Sequence, residues 1–160
     1  MKRRVWILLA LLLVCALPAG CAASPERQIG RALGVSLPAA TAVSYADDHG
    51  VFHGDGTVVA TLVFSQADGA ALAAALAEAP GWRPLPLTEN IRRLFDGCLP
   101  DGAGERPLAV TDGWWYVLDR HSQSDDPFSD AALFDRYSFN VTVAVYDRAA
   151  NILYYFELDT

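Results

Sequence analysis

The stretch from Ser138 to Asp159 constrains the fold more than any other part of the chain. Ser138 to Tyr146 and Ile152 to Asp159 alternate strictly, and Asp147-Arg148-Ala149-Ala150-Asn151 joins them. Successive side chains of a strand point to opposite faces, so a period of two on either side of a short polar connection predicts a β-hairpin. In the second run Ile152, Tyr154, Phe156 and Leu158 share one face, while Leu153, Tyr155, Glu157 and Asp159 share the other. A slip of one residue would exchange the two faces, so this hairpin sets the register and makes the chain end structural.

Two further alternating, β-branched runs, Val43 to Asp48 and Thr57 to Phe64, flank His49-Gly50-Val51-Phe52-His53-Gly54-Asp55-Gly56. The glycines there predict a second hairpin or an elaborated loop. Trp114 to Asp119 reads as a fifth strand.

Helical signals lie between the strands. Ser24-Pro25-Glu26 opens a short helix carrying Ile29 and Leu33, which Gly34 stops. Ser65-Gln66-Ala67-Asp68 is a capping-box start for an alanine-rich helix with Leu72 and Leu76 on one side, closed by Pro80-Gly81. Thr88-Glu89-Asn90 opens a third, with Ile91, Leu94 and Phe95 together and Asp96-Gly97 at its end. Residues 99–113 read as a loop, 121–130 as a polar connection, and 131–137 as room for one turn of helix. The chain has 160 residues and is 52% apolar, which is core enough for one domain and excludes a disordered chain. The expected fold is α+β, with about five largely antiparallel strands and two or three short helices packed on one face, forming a single domain over residues 25–160.

Met1-Lys2-Arg3-Arg4, the apolar run from Val5 to Leu17 and Pro18-Ala19-Gly20-Cys21 have the form of a secretion signal over residues 1–20. The run is too short to span a bilayer, which takes about 20 apolar residues in a helix. Ala19-Gly20-Cys21 resembles the lipobox of bacterial lipoproteins, although Pro18 stands where that family usually has an aliphatic residue. The resemblance implies a diacylglyceryl group on the Cys21 thiol and cleavage just before it, leaving residues 21–24 as a short tether. It places the domain on the extracytoplasmic face of a cell membrane.

Removing Lys2, Arg3 and Arg4 leaves nine cations against 19 acids, a net charge of −10 with no lysine. Phosphate backbones are held by clustered basic residues, so nucleic acid is excluded as a partner. With Cys15 cut away and Cys21 acylated, Cys98 is left without a disulfide partner.

The three histidines each stand near carboxylates: His49 and His53 in the glycine-rich loop with Asp48 and Asp55, and His121 after Asp119. Imidazole with carboxylate suits zinc or another divalent ion. The spacing matches no HExxH and no paired cysteines, and a histidine in such a loop more often holds a turn by hydrogen bonding. Asp119, His121 and Ser122 name an acid, a base and a nucleophile, but a working triad is assembled from separate segments, and no GxSxG is present. No catalytic residue and no cofactor are assigned.

Eleven of the 17 aromatic residues fall between Trp114 and Phe156. Adjacent Trp114 and Trp115 must face opposite sides of a strand, which makes one of them a candidate for docking a protein or a glycan. Phe52-His53-Gly54-Asp55-Gly56, Asp119-Arg120-His121-Ser122, Asn140 to Asp147 and Leu153 to Leu158 resemble segments of small uncharacterised lipoproteins of Gram-positive gut bacteria, over most of residues 30–160. That resemblance implies a cell-surface placement and no particular activity. The expectation is a lipid-anchored extracytoplasmic binding or accessory module; the alternative is a metal-binding protein or metal-dependent hydrolase built on His49, His53, His121, Asp48 and Asp55.

Overall fold

Each alternating run becomes a strand of one antiparallel sheet in the computed structural model, which describes residues 23–50, 54–98 and 107–160. Cys21 and His53 lie outside the described residues. The elements are α1 (Pro25–Ala32), β1 (Ala42–Asp47), β2 (Gly56–Val63), α2 (Gln66–Glu78), β3 (Trp82–Pro84), α3 (Glu89–Gly97), β4 (Gly113–Asp119), β5 (Asn140–Asp147) and β6 (Ile152–Asp159). The sheet order is β1-β2-β6-β5-β4-β3. The C-terminal strand therefore lies in the interior of the sheet, paired over its whole length with β2 and β5.

Local chemistry starts and stops the helices as the sequence predicts. The Ser65 hydroxyl accepts from the Asp68 N–H at 3.1 Å and donates to its carboxylate at 2.6 Å, and Thr88 accepts from the Ile91 N–H at 3.3 Å. Each satisfies an N–H that the first helical turn leaves without a partner. Gly34, at φ +67°, ends the turn after α1. Ser24 takes the N-cap position of α1 but makes no side-chain cap bond.

The helices lie on both faces of the sheet, not on one. Ile29 and Leu33 from the α1 region and Leu72 and Leu76 of α2 are buried with Val58, Ala60, Leu62, Tyr116, Tyr146, Leu153 and Tyr155. Ile91, Leu94 and Phe95 of α3 are buried on the opposite face with Trp115, Val117, Val143, Tyr154, Phe156 and Leu158. The cause is in β4, β5 and β6, which carry apolar side chains at both parities and so need cover on both sides. The sheet has six strands and not five. The extra one, β3, is too short to show a period, and it pairs with β4 through Trp82 opposite Tyr116 and Pro84 opposite Trp114. Residues 131–137 form turns with no helix. The polar connection before them is ordered by side-chain-capped turns, such as the Ser124 hydroxyl accepting from the Asp126 N–H at 2.9 Å.

Candidate functional site

The strand ends of β1, β4 and β6 and the start of β5 converge at one end of the sheet, and its polar residues gather there. Alternation on β6 puts Glu157 and Asp159 on the same face as Leu153 and Tyr155, but past the part of that face the helices cover. Arg120, the first residue after β4, reaches both acids: its guanidinium pairs with Glu157 at 2.9 Å, with Asp159, and donates to the Thr142 hydroxyl. The Tyr155 hydroxyl donates to Glu157 at 3.0 Å. Burial and that neighbouring acid push the phenol far above its ordinary range, so it remains a donor.

His49 closes the cluster from the first hairpin. Its Nδ1 lies 2.7 Å from Asp47 and its Nε2 3.2 Å from Asp159. Both nitrogens face carboxylates, so the protonated ring is the form that satisfies both, and the hydrogen bond to Asp47 raises its pKa above the ordinary 6.5. The same bond lowers the pKa of Asp47. Asp48 turns the other way and accepts from the Thr57 N–H and hydroxyl, which lowers its pKa as well.

Of the expected metal cluster, the side chains of His49, Asp48 and His121 are bonded to separate partners, and Asp55 takes part through its backbone. His49 binds Asp47 and Asp159, Asp48 caps Thr57, and the Asp55 carbonyl accepts from the Gly50 N–H at 3.2 Å. The His121 Nδ1 lies 3.1 Å from the Asn140 amide. Asn140 is opposite Asp159 in the ladder, so His49 and His121 share one end of the sheet while bonding to different residues. Among the described residues, no group of three or more His, Cys, Asp or Glu is arranged to hold a metal ion. Asp159, Glu157 and Arg120 are the site residues that sequence reasoning missed. The signal for the two acids was their position at the end of an otherwise apolar β6 face.

Asp119, His121 and Ser122 do not form a triad. Asp119 is 2% exposed and is taken by Arg136 and the His121 N–H, while Ser122 accepts from the Ser124 N–H. Arg136 also donates through Nε to the Ser138 carbonyl at 2.9 Å and through Nη1 to that of His121 at 3.3 Å. It therefore ties the connection after β4 to the segment before β5. Cys98 is partly buried, which raises its pKa and opposes the thiolate a nucleophile would need.

Around Arg136 the surface is hollowed twice. A cleft of about 460 Å³ is lined by His121, Gln123, Ser124, Ala132, Asp135 and Arg136. A second, of about 360 Å³, shares Asp135 and Arg136 and adds Arg93, Phe134, Tyr137 and Phe139. Arg93 stacks on Phe134 with 4.1 Å to the ring centroid, and Phe139 meets Phe134 edge-on. Tyr137 is fully exposed, at 107%. Neither tryptophan of the expected docking pair is exposed: Trp115 is 2% exposed under α3, and Trp114 packs against Tyr146 with Arg148 over its ring.

No family model, curated protein or solved structure matches the chain. The arrangement of its own residues is what bears on function. Among the described residues no helix is long and apolar enough to cross a membrane.

Proposed function

We propose that this chain is a binding module anchored by acylated Cys21 to the extracytoplasmic face of a cell membrane, and that its ligand is a glycan of the envelope. The observation that carries the ligand reading is Tyr137, a fully exposed aromatic that lines one of two adjoining clefts whose walls mix polar and apolar groups. Sugars present apolar C–H faces edged by hydroxyls. An exposed ring next to carboxamide, carboxylate and guanidinium groups suits both parts. Gln123, Asp135, Arg136 and the His121 ring supply the polar edge. The anchor rests on the sequence: the apolar run, the small pair and Cys21 in that order.

The test uses the full chain from membranes. Wild type is expected in the membrane fraction with a diacylglyceryl mass, and Cys21→Ser in the soluble fraction without it. Titration with β-linked N-acetylhexosamine oligomers should shift the amide resonances of His121, Arg136 and Tyr137. Tyr137→Ala should weaken binding about tenfold, the scale of one lost aromatic contact. Oligomers that leave those resonances still, or bind Tyr137→Ala as tightly, would remove the glycan reading. One ion per chain that is lost on His49→Ala would put the metal reading in its place.

A further inference from the structure

The two edges of the sheet are built differently. At one edge β3 is three residues long and ends in Pro84, which has no N–H to offer. At the other, β1 has six residues, all exposed, with no proline, no bulge in its pairing to β2 and no charge before Asp47. Among the described residues nothing pairs with its outer side.

The backbone on that outer side can be assigned. Asp48 donates to the carbonyl of Thr57 at 3.0 Å, and the continuous register places these two opposite each other. Inward and outward backbone pairs alternate in an antiparallel ladder, so Ala42, Ser44 and Ala46 also bond β2. Val43, Tyr45 and Asp47 then turn three N–H and three C=O groups away from the sheet. The side chains of the first two are among the exposed large apolar groups of the molecule, at 40% and 36%. Ala42, Ser44 and Ala46 are small and leave room on the opposite face.

We infer that β1 is a docking edge for an extended segment of another protein, added antiparallel as a seventh strand. Charge selects the occupant. Asp47, paired on one side with His49, and Asp48 lie exposed at the end of β1. With Glu157 and Asp159 they outnumber the cations there, His49 and Arg120, by two, so this end of the edge stays negative. A segment with alternating apolar residues and a lysine or arginine near its N-terminal end would cover Val43 and Tyr45 and set its cation against Asp47. A second copy of this chain supplies no such cation from its own β1 and adds to an already negative total. This edge is separate from the Tyr137 clefts, and the inference does not depend on the glycan reading.

The test takes the full chain in detergent with a synthetic probe, acetyl-Lys-Thr-Val-Thr-Val-Thr-amide, in which Lys opposite Asp47 puts the two valines opposite Tyr45 and Val43. Excess probe should slow hydrogen exchange at the Val43, Tyr45 and Asp47 amides and leave β5 and β6 unchanged. A probe N-methylated at the amides facing β1, or with Glu for its Lys, should bind at least about tenfold more weakly. Tyr45→Pro removes an outward N–H and no bond to β2, so it should abolish binding while Ser44 and Ala46 stay protected. If that variant fails to fold, Tyr45→Lys keeps the backbone and repels the probe, and it should give the same loss. Protection that survives N-methylation, or no protection at all, overturns the inference. Protection that appears without probe as protein concentration rises would assign the edge to a second copy instead.

Discussion

At the residue scale, His49 holds the first hairpin to the last strand, and it does so through protons. Its pKa is raised, chiefly by the hydrogen bond to Asp47, so its contribution to stability is fully present below the ordinary value of 6.5 and is lost as pH rises through the higher folded value. Asp47 has a lowered pKa, again through His49, so its contribution is present above 3.8 and is lost as pH falls through the folded value. The clamp should therefore be strongest between those two ordinary values. Urea midpoints of wild type and His49→Gln, measured across that range and above it, should differ most inside the window and converge at alkaline pH. A difference independent of pH would mean that the ring acts by packing alone. This clamp was only half legible in the sequence: Asp47 is two residues away from His49, but Asp159 is 110 positions distant, and only the β2–β6 ladder brings it near.

At the element scale, α2 is fixed to the C-terminal hairpin at Gly69. The Tyr146 hydroxyl donates to the Gly69 carbonyl at 2.8 Å and to Asn151 at 3.4 Å, and Asn151 stands in the hairpin turn at φ +56°. Glycine within a helix normally costs about 1 kcal/mol relative to alanine, so Gly69→Ala in isolation would stabilise. Here the added Cβ would collide with the Asn151 side chain and sit 2.8 Å from the Tyr146 oxygen. Overpacking costs about 1–3 kcal/mol, and displacing the tyrosine loses about 1 kcal/mol more, so the sign reverses. A thermal scan should show Gly69→Ala melting about 3–8 °C lower; an increase would show that the turn yields freely. The strands and helices themselves were legible because each carries its own period or cap: Leu72 and Leu76 one turn apart, Ser65 before Asp68, the alternation through β6. What was not legible is what spans elements, such as Tyr146 reaching α2, or β3, whose three residues are strand only because Trp82, Arg83 and Pro84 lie beside β4.

At the scale of the molecule, two apolar layers share one sheet. Leu76 is buried on the α2 face and Phe95 on the α3 face, yet both depend on β4, β5 and β6, which contribute side chains to each layer in alternation. A strand cannot leave one layer and remain in the other, so the layers should melt together. The tryptophans provide a reporter on each side: Trp82 packs against Tyr116 with ring centroids 5.4 Å apart in the first layer, and Trp115 is buried in the second. Leu76→Ala should cost about 2–5 kcal/mol and Phe95→Ala about 3–5 kcal/mol. Each should shift a single transition, with the emission of Trp82 and Trp115, isolated through Trp→Phe backgrounds, changing at the same denaturant concentration as the far-ultraviolet signal. If Phe95→Ala released Trp115 at lower denaturant than Trp82, α3 and its turns would be a separately unfolding layer. The β1 edge would then belong to the more stable half, with β2 and β6 holding it in place while the α3 face opened.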